Sequence, residues 1–140
     1  MCGCDTKNYT LNVITEEEIL SQVENDYYVF FYKDNCSLCD DVFDVISEYL
    51  QNPTEKKLYV CKIIEGSEIF KSAEPKWQGP DGRYFVDYVT NYRDLYISGV
   101  PSLIGVHDLF GFNECYFITS GRKNIINYFE KLIEQESMKN

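Results

Sequence analysis

Apolar and polar positions change their period at a few well-defined places along the chain. Residues 11–14 alternate and read as a short first strand. Thr15-Glu16-Glu17-Glu18 has the form of a capping box, and its three acids suit the positive end of a helix. Ile19, Leu20 and Val23 continue an apolar stripe, so the spacing predicts a helix over roughly 16–24, broken by Asn25-Asp26. Residues 27–32 are β-branched and aromatic throughout, which suits a central strand buried on both faces. After Lys33-Asp34-Asn35 and Cys36-Ser37-Leu38-Cys39, the residues Cys39, Val42, Phe43, Ile46, Tyr49 and Leu50 recur at helical spacing, ending near Asn52-Pro53. Residues 58–64 read as a third strand. The order is therefore β-α-β-α-β up to residue 64, with the two close cysteines where a strand hands over to a helix.

The pattern weakens over residues 65–98. Residues 67–73 read as a short helix, and Gly79-Pro80-Asp81-Gly82 as a turn. Phe85, Tyr88, Val89, Tyr92, Leu95 and Tyr96 fall at helical spacing. Gly99-Val100-Pro101 precedes a fourth strand over 102–106; Gly111 marks a turn, and 114–119 is a fifth strand. Gly121 opens the last connection, and Ile125, Ile126, Phe129, Leu132 and Ile133 form one face of a closing helix. The expected organisation is a flexible segment over 1–10, a single domain over 11–135 and a frayed tail over 136–140.

Composition narrows the class. A chain of 140 residues is one domain by length. No apolar run approaches the roughly 20 residues needed to cross a bilayer, so no membrane span is expected. A net charge of −10 argues against nucleic acid, which demands clustered Lys and Arg. Repeats and low-complexity tracts are absent. The N-terminal Met1-Cys2-Gly3-Cys4-Asp5 has neither a charged leader nor a long apolar stretch, and points to a cytoplasmic protein. The alternative is an extracytoplasmic, lipid-anchored protein whose N-terminus is a processed or engineered start.

Cysteines stand at 2, 4, 36, 39, 61 and 115. In a reducing compartment they are not a disulfide framework, and the chain is too large to need one. Cys36 and Cys39, across the first turn of a helix, meet the two needs of disulfide exchange: a thiolate that attacks and a thiol that resolves. The helix N-terminus favours negative charge on Cys36, while Cys39 falls in register with Val42, Phe43 and Ile46 on the buried face. Asp34, Asp40 and Asp41 crowd the thiolate with acids, opposed by Lys33 alone, and this tempers the effect. The balance favours a reductase or isomerase over a strong oxidant. A structural thiol pair, or half of a zinc site completed by Cys2 and Cys4, is the competing reading.

Several segments resemble the thioredoxin superfamily. Residues 28–39 are similar to its strand, active-site loop and helix start; Val60-Cys61-Lys62 to its third strand; residues 96–103 to the approach to its cis-proline; and Gly121 to the glycine before its last helix. The resemblance implies a three-layer α/β/α fold with a mixed central sheet of about five strands and an insertion before the cis-proline strand. It implies a cis Pro101 beside Cys36, with the backbone of Val100 pairing with substrate, against the plain alternative of a trans proline opening an edge strand. It places Cys61 and Cys115 on strands that lie apart, as buried free thiols. Asn35 and Ser37-Leu38 depart from the Trp and Gly-Pro of thioredoxins proper. Phe30 stands where they bury an acid, which leaves Lys62 without that partner and the proton of Cys39 without that acceptor. The pattern is closer to divergent bacterial thioredoxin-like proteins, including bacteriocin-transport accessory proteins.

The resulting expectation is an enzyme of cell redox homeostasis with no cofactor and no metal, probing protein or peptide disulfides and recharged by a thiol or reductase donor, as a monomer. Cys36 attacks, Cys39 resolves, and Val100, Pro101 and Trp77 hold substrate. Trp77 is chosen because its loop is flanked by Pro and Gly; the other aromatics of the insertion, among them Tyr84, Phe85, Tyr88, Tyr92 and Tyr96, are expected to pack against the sheet. His107, the one histidine, has no Ser or Cys nucleophile near it in sequence and is not expected to be catalytic. The alternative function is a non-catalytic binding or accessory module that uses the cis-proline face and the aromatic insertion.

Overall fold

The computed structural model describes residues 11–51, 56–70 and 86–138, with side chains through 135. Its strands are β1 (Asn12–Ile14), β2 (Asp26–Tyr32), β3 (Lys57–Lys62), β4 (Ser102–Leu109) and β5 (Phe112–Ser120). They form one mixed sheet in the order β1-β3-β2-β4-β5. β1, β3 and β2 run parallel, whereas β4 is antiparallel to both β2 and β5. β2 is thus central, as its unbroken apolar run predicts: Tyr27, Val29, Phe30 and Phe31 are fully buried.

Alternation along β2 divides the core in two. Tyr28 and Phe30 face a cluster containing Val42, Ile46, Ile125 and Phe129, supplied by α1 (Ser37–Gln51) and α2 (Arg122–Met138). Both helices therefore cover the same face. α2 starts after Gly121, whose φ of +90° suits a residue without Cβ, and it runs to Met138. Tyr27, Val29 and Phe31 face the second cluster, with Ile14, Ile19, Ile69, Leu95 and Ile97.

This second face corrects three expectations. The helix expected over 16–24 is only a 3-10 turn, Glu16–Glu18. The Glu18 carboxylate does accept from the Thr15 N–H (2.8 Å) and hydroxyl, but tertiary partners take the carbonyls that a longer helix requires. The Tyr27 hydroxyl donates to the Ile19 carbonyl at 2.6 Å, and the Asn113 amide to that of Leu20 at 2.7 Å. Val23, expected in the apolar stripe, is 90% exposed.

The helix expected over 67–73 is absent from its described part. The Ser67 hydroxyl donates to Glu16 and accepts from the Ile69 and Phe70 N–H groups, an arrangement that competes with helix, and Phe70 bridges Ile97 instead. From Asp87 onward the helix expected over 85–96 also gives way. Tyr88 takes a φ of +71°; its N–H donates to the Cys115 carbonyl, and the Cys115 N–H donates back to Val89. These bonds, with Asp87 accepting from the Phe117 N–H, cover the open edge of β5. The residues that reach the core here are Val86, Leu95 and Ile97, while Tyr88 is 79% exposed. The fold is α/β with a mixed five-stranded sheet; among the described residues its second covering layer consists largely of turns and extended chain rather than helices.

Cys61 on β3 and Cys115 on β5 are free, fully buried and separated by β2 and β4. Burial pushes each thiol up to about 12, with Glu16 adding at Cys61 and Glu114 at Cys115; burial likewise raises Tyr27 to about 12. The folded state keeps these protons at pH values where the unfolded chain releases them. Their contribution is therefore complete below the ordinary thiol value near 9 and is lost as pH rises through the raised values. The urea midpoint is expected to fall between about pH 8 and about pH 10.5, and the fall to be smaller in a Cys61→Ala/Cys115→Ala variant. An equal fall in that variant would refute the assignment to these thiols.

Candidate functional site

β2 delivers the chain to the site. The Tyr32 carbonyl accepts from the Ile63 N–H at 2.7 Å, and Lys33-Asp34-Asn35 turns away from the sheet, with Asn35 at a φ of +58°. Asn tolerates that region better than most residues. Cys36 then stands at the N-cap of α1: its carbonyl accepts the Asp40 N–H at 3.0 Å, and its sulfur accepts the Cys39 N–H at 3.1 Å. The sulfur thus occupies the place that a Ser or Asp oxygen takes at other helix starts.

The two sulfurs form a disulfide, with the Cα atoms 5.2 Å apart. Cys36 is half-buried and Cys39 fully buried, on the same helix face as Val42 and Ile46. Leu38, half-exposed, gives the rim of the site an apolar side chain that the residue pattern did not single out.

The charges around the pair differ from the sequence expectation. Lys33 forms no ion pair with these acids among the described residues; its ammonium lies 3.7 Å from the centre of the Phe70 ring. Lys62 pairs with Asp34 at 3.3 Å, and Arg122, at the start of α2, pairs with Asp41 at 2.6 Å. Among the described residues Asp40 is the member of the acidic trio without an ion pair. Arg122 was missed because nothing local marks it. The available signal was its position directly after Gly121, where the last helix returns to the site.

Phe30 is fully buried, stacked on Tyr32 and edge-on to Phe43, so the chain carries an aromatic cluster at that point of β2. Lys62, expected to lack a partner, has Asp34 instead.

The Val100–Pro101 peptide bond is cis. Phe31 pairs with Ser102, so Pro101 follows the last β2/β4 pair at the end of the sheet where the Cys36 loop begins. Pro101 is buried and its carbonyl accepts the Gly121 N–H at 2.9 Å, tying this loop to the start of α2. Val100 is half-buried and packs on the second core cluster. Trp77, Tyr84, Phe85, the turn over 79–82, Cys2 and Cys4 lie outside the described residues. His107 pairs across β4 and β5 with Glu114 at 3.1 Å, at the opposite end of β2, where its register partner is Asp26.

Among the described residues no helix is long and apolar enough to cross a membrane. Compared with known proteins, the chain matches no family model and no curated protein.

The difference in exposure between the cysteines gives a direct expectation. In a Cys2→Ser/Cys4→Ser background reduced under native conditions, iodoacetamide should modify Cys36 first and Cys39 much more slowly. Cys61 and Cys115 should react only after unfolding. Mass spectrometry of timed samples reads the order, and equal rates at Cys36 and Cys61 would contradict the arrangement.

Proposed function

We propose that this chain is a thioredoxin-like thiol–disulfide oxidoreductase acting on protein or peptide disulfides through Cys36 and Cys39. The observation that carries the reading is the Cys36 sulfur at the start of α1, reachable from solvent and accepting the Cys39 N–H, with a buried second sulfur within bonding distance. The sheet order, the junction of β2 with α1 and the position of Pro101 beside it support a thioredoxin-superfamily relationship.

The chemistry starts from the dithiol. The Cys36 thiolate attacks one sulfur of a substrate disulfide; that S–S bond breaks, and the departing substrate thiolate takes a proton from water. Cys39 then gives its proton to water and attacks the Cys36 sulfur of the mixed disulfide. The second substrate thiolate leaves and is protonated, so two electrons pass to substrate and the Cys36–Cys39 disulfide forms. A dithiol donor reverses these steps on the protein. The helix dipole and the Cys39 N–H stabilise charge on Cys36 both when it attacks and when it leaves.

Net reduction is the proposed direction. A further negative charge beside the uncompensated Asp40 is unfavourable, which disfavours the reduced thiolate relative to the disulfide. A second reading, a binding module with idle cysteines, is favoured by one observation. Phe30 and its aromatic neighbours offer no carboxylate to take the proton of Cys39.

Two measurements separate these readings. Cys36→Ser should abolish dithiothreitol-driven reduction of a test disulfide, and Cys39→Ser should accumulate mixed disulfides with it. If both variants behave as the parent does, the exchange reading is wrong and the binding module stands. The potential of the pair should lie near the reductase value of about −270 mV, and a value near about −120 mV would reverse the direction.

A further inference from the structure

Two clefts open at the end of the sheet where β2 and β3 run out towards Cys36. One, of about 500 Å³, has Lys33, Asp34, Ile64 and Phe70 in its walls. The other, of about 560 Å³, follows the β1 edge past Val13 and Tyr92. They share Ile64, Gly66 and Ser67 as a common wall, so they adjoin and are together called the trough. Its near end is set by Asp34, two residues from Cys36. Its far end is the outer edge of β1, which no strand covers among the described residues.

Two large apolar residues of the trough lining are exposed: Val13 at 65% and Ile64 at 62%. The wall is also strongly acidic. Asp34, Glu16, Glu17, Glu65 and Glu68 contribute carboxylates, against the ammonium groups of Lys33 and Lys62. Asp34 is answered by Lys62 and Glu68 by Arg93, at 3.3 and 3.7 Å. Glu16 accepts from the Ser67 hydroxyl and the Glu68 N–H, neither of which carries charge. Among the described residues Glu17 and Glu65 have no hydrogen-bonding or ionic partner. An occupant that supplies apolar contact and positive charge together would complement both features.

We infer that the trough binds the segment flanking the reactive disulfide of a peptide or protein substrate, with an aliphatic side chain against Val13 and Ile64 and a Lys or Arg facing Glu17 and Glu65. This rests on the disulfide-exchange reading and adds a substrate class to it: disulfides set in basic, aliphatic sequence. The trough lies on the β3 and β1 side of Cys36, whereas Pro101 lies on the β4 side, so the two surfaces bracket the reacting sulfur.

Three peptides with an internal disulfide, identical except for a flanking Lys-Leu, Gln-Leu or Glu-Leu pair, provide the test. Serine counterparts of each report binding alone, by fluorescence anisotropy. With dithiothreitol as donor, kcat/KM should rank Lys above Gln above Glu, by roughly three- to fivefold per engaged carboxylate at low ionic strength. The gap should narrow as salt screens the charges. Glu17→Gln/Glu65→Gln should flatten the ranking, whereas Glu130→Gln/Glu134→Gln, the same change of charge on α2, should preserve it. The serine peptides should bind in the same order. Equal kcat/KM for all three peptides, or a ranking that survives Glu17→Gln/Glu65→Gln, overturns the trough and leaves the exchange reaction standing. No exchange with any peptide, while the serine peptides still rank, overturns the reaction and upholds the trough.

Discussion

β2 is enclosed on every side: β3 and β4 take its two edges, the helical layer covers one face and the turn-rich layer the other. A strand held in this way has no freedom to slide, because moving it by one residue would exchange the Tyr28 and Phe30 side chains with those of Tyr27, Val29 and Phe31. Its last residue is therefore fixed in space, and Cys36 follows four positions later. The start of α1 inherits that position. The sulfur that accepts the Cys39 N–H is thus placed by the core rather than by the loop that carries it.

The same constraint gathers the other elements of the site. β4 must enter beside β2 with Ser102 opposite Phe31, which brings Pro101 to the Cys36 end of the sheet. The Gly121 N–H on the Pro101 carbonyl then brings the start of α2 to the same place, and with it Arg122 and its pair with Asp41. The opposite end of β2 carries a different set of contacts. There the Tyr116 hydroxyl bridges Lys56 and Asp26, and His107 meets Glu114, a polar cluster that closes the helical face far from the cysteines.

Electrostatics divides the surface around the cysteines. Towards α2, Arg122 offsets Asp41; towards β3, Lys62 offsets Asp34. Beyond Lys62 the balance turns acidic, through Glu16, Glu17 and Glu65, and it does so beside the exposed residues Val13 and Ile64. Cys61 and Cys115 contribute nothing to this surface: their thiols lie inside the core, where burial keeps them protonated.

The residue pattern alone determined the five strands, the two long helices and the register of the cysteine pair. Those elements bury a regular stripe or an unbroken apolar run, and such periodicity is a local property of the chain. It also paired Cys36 with Cys39, whose sulfurs lie at bonding distance in the structure, since a spacing of one helical turn can be read without coordinates. It failed over 16–24 and 85–96, where the spacing is helical yet distant groups decide the outcome. Tyr27 and Asn113 claim the carbonyls of Ile19 and Leu20, and the edge of β5 claims Tyr88 and Val89. The ion pairs were equally hidden, because Arg122 and Asp41 are separated by 81 positions and meet only through the packing of α1 beside α2. Local sequence carries the periodicity that makes an element, whereas the partners of its backbone and charges come from chain segments far away, and only the folded arrangement brings those together.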